Sequence, residues 1–131
     1  MLNEIVNFLN GWESKNGFQL SASLEGDSIV IEESDSDQVM SLTQDGEQLI
    51  CMTTAIRSDE VAPEKVSELH DFMLSMSLPM PLSSFGKMGD EYVIFGAMHS
   101  DTTLNNVAEE VETLLLNAEA MADELTQFKG A

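Results

Sequence analysis

Cations, cysteine and long apolar runs are scarce in this chain of 131 residues. Only Lys15, Arg57, Lys65, Lys87 and Lys129 oppose 24 acidic residues, leaving a formal net charge of −19. Phosphate backbones and anionic lipid need a cationic track, so a field this negative argues against nucleic acid and anionic membrane as partners. The charge fits plain solubility, and it also fits a basic or cation-flanked protein partner. Cys51 is the single cysteine, which precludes an intrachain disulfide and accords with a reducing cytoplasm. Apolar runs such as Tyr92 to Phe95 and Leu114 to Leu116 fall far short of the roughly 20 residues of a membrane span. Met1 leads into an amphipathic segment rather than a basic and apolar signal region, so a soluble cytoplasmic protein without membrane insertion is expected.

What is present is periodic. Leu104, Val107, Val111, Leu114, Ala118, Met121, Leu125 and Phe128 recur at steps of three and four, predicting one amphipathic helix from Leu104 to Lys129. Ala108, Leu115 and Ala122 widen that stripe to the breadth of a helix lying on a sheet or bundle. Glu109, Glu110, Glu112, Glu119 and Asp123 fall on other faces, where water is expected to meet them. Thr102 or Thr103 is placed to cap the helix start.

Upstream, Leu2, Ile5, Leu9 and Trp12 predict a short first helix, with Lys15 in its last turn and Gly17 closing it. The period then becomes two. Phe18, Leu20, Ala22 and Leu24 form one strand face, Glu25-Gly26-Asp27 a tight connection, and Ile29 to Ile31 a second strand. Val39 to Thr43 and Leu49 to Ile56 repeat the pattern about an Asp45-Gly46 turn. Pro63 suits the first position of a second helix, marked by Val66, Leu69, Phe72, Met73 and Met76. Two prolines in Leu78-Pro79-Met80-Pro81-Leu82 predict an extended segment after it. Strands at Ser83 to Met88 and Glu91 to Met98 should pair across Gly89-Asp90. The chain thus reads as a single α+β domain over residues 1–131. Its order is α-β-β-β-β-α-β-β-α, with an antiparallel sheet of about six strands and the second and long helices on one face.

The phrase Leu82-Ser83-Ser84-Phe85-Gly86-Lys87-Met88-Gly89-Asp90-Glu91-Tyr92-Val93-Ile94-Phe95-Gly96-Ala97, followed by a long acidic helix, resembles the YjfI-type family of uncharacterised bacterial proteins. At the level of fold the chain looks like the type III secretion chaperones and their YbjN-like relatives. That resemblance implies helices on one face of a twisted antiparallel sheet, and association into homodimers. It also implies an accessory role in envelope stress beside relatives of phage shock protein A, through an amphipathic helical partner. It brings no catalytic motif and no cofactor.

Chemical motifs are sparse. The acidic run Glu32, Glu33, Asp35 and Asp37 invites a calcium reading, but an EF-hand loop counted from Glu33 would need glycine at Gln38 and glutamate at Gln44. A solvated strand end is expected, and no metal site. His70, His99 and Cys51 lack zinc-ligand spacing. A small enzyme using Cys51, or a His70 and His99 pair, stays as an alternative because catalytic partners can come from afar. Gly86-Lys87-Met88-Gly89 has neither the spacing nor the ending of a phosphate loop, and no Gly-x-Ser-x-Gly elbow is present.

Met73, Met76, Met80, Met88 and Met98 suit core gaps and also surfaces that accept varied apolar partners. Leu78, Met80 and Leu82 on the extended segment, and Leu116 opposite the long helix's stripe, are the candidate contact residues. The expected function is a non-enzymatic acidic adaptor or chaperone-like module that binds another protein, basic or amphipathic, through the sheet's apolar face and the Pro-x-Pro segment. A structural subunit that only self-associates is a third reading.

Overall fold

The computed structural model describes residues 1–130. Helix α1 (Leu2–Asn10) leads into four strands, β1 (Leu20–Glu25), β2 (Ser28–Glu33), β3 (Val39–Asp45) and β4 (Gln48–Arg57). Two short 3-10 turns, Ser58–Glu60 and Pro63–Lys65, introduce α2 (Val66–Met76). Strands β5 (Ser84–Met88) and β6 (Glu91–His99) and helix α3 (Leu104–Leu125) follow, with a closing 3-10 turn at Thr126–Phe128. The sheet is antiparallel throughout, in the order β1-β2-β3-β4-β6-β5. The α+β architecture and the predicted element order are therefore both present.

Register sorts the strand residues into two faces. On the inner face Leu20, Ala22, Ile29, Ile31, Met40, Leu42, Leu49, Cys51, Ile56, Tyr92 and Ile94 are buried and join one core. The buried stripe of α3, Val107, Val111, Leu114, Ala118, Met121 and Leu125, closes over them, with Ile5 and Leu9 of α1 and Leu69 and Met73 of α2. All three helices occupy this side. Phe72 reaches both Phe85 of β5 and Phe128 beyond α3, at ring separations of 6.4 and 5.3 Å. Thr103 caps α3 by accepting a hydrogen bond from the Asn106 N–H at 3.1 Å.

Five expectations need correction. The first helix ends at Asn10 with Gly11 as its cap, well before Lys15 and Gly17. Asn10, the last helical residue, is tied to β1, since its side chain accepts from the Ala22 N–H (2.7 Å) and donates to the Ala22 carbonyl (2.9 Å). The long helix stops as an α-helix at Leu125, and Lys129 pairs in a bridge with Val61 instead of extending it. Ala122 lies outside the buried stripe and is exposed.

The Leu78–Leu82 segment is a run of turns, not an extended chain. Met80 N–H still bonds the Met76 carbonyl (3.3 Å), Met80 is buried, and Leu82 turns the chain at φ 58°. Finally, α3 does not show all its carboxylates to water. Glu112 is 6% exposed, with Oε1 lacking a hydrogen-bond partner, and Glu110 is only partly exposed, with burial holding its pKa above the usual carboxylate value.

Candidate interaction site

Helix α2 and the edge strand β5 do not close on each other. Between them runs an open groove of about 280 Å³, lined by His70, Met73, Leu74, Ser77, Phe85, Gly86, Lys87 and Tyr92. Its floor is fixed by polar contacts. His70 Nε2 and Tyr92 Oη lie 2.8 Å apart, and Ser77 Oγ, which donates to the Met73 carbonyl, accepts the Phe85 N–H at 3.0 Å. Lys87 Nζ stands 5.8 Å from the Tyr92 ring centroid. In a chain with 24 acidic residues none of these eight linings is acidic.

Beyond the groove, apolar side chains stand in water. Leu74 is 73% exposed, Leu78 89% and Leu82 59%. Of the candidate contact residues, Leu78 and Leu82 are thus free to meet a partner. Met80 is not, because the turns direct it into the core. Leu116 is 43% exposed on α3. Its neighbour Asn117, buried, ties the helix to the same segment by donating to the Pro81 carbonyl (2.9 Å) and to Ser83 Oγ (2.6 Å). Gly96 makes room for this docking: a Cβ there would lie 2.8 Å from both the Leu82 carbonyl oxygen and a Glu110 oxygen.

Leu74 was not among the expected contacts. It falls off the stripe of Val66, Leu69, Met73 and Met76, and a leucine on the polar side of an amphipathic helix is the signal that could have found it. The sheet's inner apolar face, expected to bind, is instead occupied by the helices. The outer face carries a second apolar set, Val30, Val39, Ile50, Met52, Met88, Val93, Phe95 and Ala97, placed there by register and under no other element among the described residues. Val39 and Met88 are 54% and 56% exposed, and a hollow of about 180 Å³ lies among Val30, Val39, Met52, Met88 and Val93. Unbroken runs such as Ile29-Val30-Ile31 and Tyr92-Val93-Ile94-Phe95 carried the signal, since a strand with one solvated face alternates.

The residues of the enzyme alternative are not brought together. Cys51 is 1% exposed, and desolvation first, then the nearby Glu110 charge, pushes its thiol up to about 12. His70 contacts Tyr92, which stands four residues along β6 from Gly96, the cross-strand partner of Cys51, or about 13 Å of strand. His99 lies at the exposed end of β6, where Nδ1 accepts the Asp101 N–H at 3.0 Å. In the acidic run Glu33 is buried, not solvated: its carboxylate accepts from the Gln19 and Asp35 N–H groups and from Ser34 Oγ. Among the described residues no group of three or more His, Cys, Asp or Glu is arranged to hold a metal ion. Among the described residues no helix is long and apolar enough to cross a membrane.

Comparison with solved structures finds the same architecture in other proteins. A chain of the ExsC–ExsE complex superposes with a TM-score of 0.67 at 16% identity, over 93% of this chain and 91% of that one. A chain of the HopA1–SchA chaperone–effector complex gives 0.66 at 8% identity, over 93% of each. YbjN from E. coli gives 0.65 at 12% identity, over 99% and 93%. At these identities the likeness is one of fold. A search of curated proteins finds no match. Residues 2–129 match the profile of a family described as "Uncharacterized protein conserved in bacteria (DUF2170)", and the chain belongs to that family.

Proposed function

We propose that this chain is a non-enzymatic, chaperone-like protein-binding module that works in the cytoplasm as a homodimer. The carrying observation is the α2–β5 groove with Leu74, Leu78 and Leu82 beside it, an apolar surface without acidic lining on a molecule of charge −19. Two copies of so acidic a chain repel each other through most approaches. The approach that brings no carboxylate from the groove itself, and removes several large apolar groups from water, is the favourable one. Two of the fold neighbours come from structures of complexes, one of a chaperone with its effector, which supports a protein partner for this fold. A basic or amphipathic helical partner completes the reading, and a relative of phage shock protein A in envelope stress is the context that the YjfI-type resemblance supplies.

Light scattering coupled to size exclusion tests the self-association. The wild type should elute at twice the chain mass, and the double variant Leu74→Ser, Leu78→Ser should elute as a folded monomer. Both positions are exposed, so their loss leaves the core intact. A wild-type monomer at roughly 100 μM, a concentration at which even weak interfaces populate, or a double variant that stays dimeric, would remove the assignment.

A further inference from the structure

The outer face of the sheet offers a different surface with different electrostatics. Val30, Val39, Met52, Met88, Val93 and Phe95 are contiguous across β2, β3, β4, β6 and β5 by register. Phe95 folds over Gly86, where an added Cβ would stand 3.0 Å from its ring. The same face carries Glu25, Glu32, Asp45 and Glu91. Arg57, the one lysine or arginine of this face among the described residues, is already engaged with Asp59 at 3.3 Å. An apolar centre within a carboxylate border is complementary to an apolar stripe flanked by lysines and arginines. It is repulsive toward a second copy of this chain.

The sheet edges favour a helix over a strand as the occupant. In β1 the Ala22 N–H and carbonyl point to the free edge, and both are held by Asn10. In β5 the Phe85 N–H points to the free edge and is held by Ser77. An added strand would have to displace these side chains, and β5 further protects its edge with Lys87. A helix needs no backbone pairing and packs on a sheet face through side chains, as α3 does on the other side.

We infer that the outer sheet face is the docking site for a cationic amphipathic helix of a partner protein, separate from the α2–β5 groove. This rests on the reading of the chain as a protein-binding module and names the surface and the chemistry of its client. The cationic flanks meet Glu25, Glu32, Asp45 and Glu91 while the apolar stripe covers Met52, Val93 and Phe95. Such a client binds more weakly as salt screens the border.

A fluorescein-labelled peptide of 18 residues provides the probe, with leucines at helical steps of three and four and lysines elsewhere. It should bind the full chain with saturable anisotropy, weakening about tenfold between 50 and 500 mM NaCl. The variant Val39→Asn, Met88→Gln removes exposed apolar contact without changing charge and should weaken binding at least about fivefold. Glu32→Gln with Glu91→Gln should weaken it and flatten the salt dependence. The Leu74→Ser, Leu78→Ser variant should bind the peptide within about twofold of wild type while losing the dimer. Equal binding of a same-composition peptide scrambled to destroy its apolar stripe would overturn the inference, as would no effect of Val39→Asn, Met88→Gln. Loss of the dimer in Val39→Asn, Met88→Gln would also overturn it, by showing that a second copy covers this face. Peptide binding that fails while the groove-dependent dimer persists removes the outer-face assignment alone; failure of both removes the protein-binding reading as well.

Discussion

Gly96 is the residue at which the packing has least tolerance. On the inner face of β6 it admits both the Leu82 carbonyl and Glu110, each 2.8 Å from where a Cβ would sit, and the first of these is backbone that the Asn117 and Ser83 contacts hold in place. Gly96→Ala should therefore cost about 1–3 kcal/mol, read as a lower urea midpoint at unchanged slope; an unchanged midpoint would mean the 81–83 segment shifts freely. Cys51 opposite it is protected twice, by burial and by a thiol pushed up to about 12. At pH 8 the thiolate fraction is then on the order of 10⁻⁴, so a thiol reagent should label the native protein only as fast as it opens. Stoichiometric labelling within minutes under native conditions would contradict that burial. Glu110 has its pKa raised by desolvation, so its protonated form is the one the fold prefers. Its contribution is complete below the unfolded value near 4.5 and is lost as pH rises through the raised folded value. Glu110→Gln should accordingly raise Tm at pH 7 and leave it unchanged below about pH 4. Because the side chain is partly exposed, solvent screening keeps the gain to about 0.5 kcal/mol or less.

Among the elements, the two sheet edges show how local side chains override sequence pattern. Asn10→Ala should cost about 1–2 kcal/mol by unpairing both backbone groups of Ala22. The Ala22 amide should also exchange with solvent much faster, and continued slow exchange would show that Asn10 does not seal the edge. The same contact explains why α1 is shorter than its apolar spacing predicts: the spacing to Trp12 is helical, but Asn10 is needed at β1 and Gly11 ends the helix there. Where pairing is local, pattern sufficed. The hairpin at Gly89 turns at φ 61°, a conformation its glycine adopts at little cost, and the two-residue connection sets the register outward from the Met88–Glu91 pair. Where position depends on distant groups, pattern failed. Nothing in Leu78-Pro79-Met80-Pro81-Leu82 reveals that Asn117, 36 residues beyond Pro81, holds its carbonyl, or that Met80 fills the core while Leu78 and Leu82 do not. Glu112 is buried against its local pattern for the same reason, since its surroundings come from elsewhere in the fold. The candidate site was half legible. Leu78 and Leu82 were named from the sequence, whereas the groove that gives them context arises only when β5 docks beside α2.

For the molecule as a whole, charge of one sign outweighs pairing. The ion pairs of lysine and arginine among the described residues, Arg57–Asp59 and Lys129–Glu60, are exposed and span 3.3 to 3.6 Å, so each is worth about 0–1 kcal/mol at most. Lys65 and Lys87 spend hydrogen bonds on the carbonyls of Gln127 and Gly89. With a net charge of −19, repulsion in the compact state exceeds what these pairs return. Raising NaCl from about 10 to about 200 mM shortens the screening length from roughly 30 to 7 Å. Tm measured across that range should rise, against the fall expected of a fold held by its ion pairs. A fall would show that those pairs matter more than their exposure allows. The same salt increase weakens attraction between the outer face and a cationic helix while easing the approach of two acidic copies through the groove. The two associations should therefore respond to salt with opposite sign, and a common sign would mean that both draw on one surface.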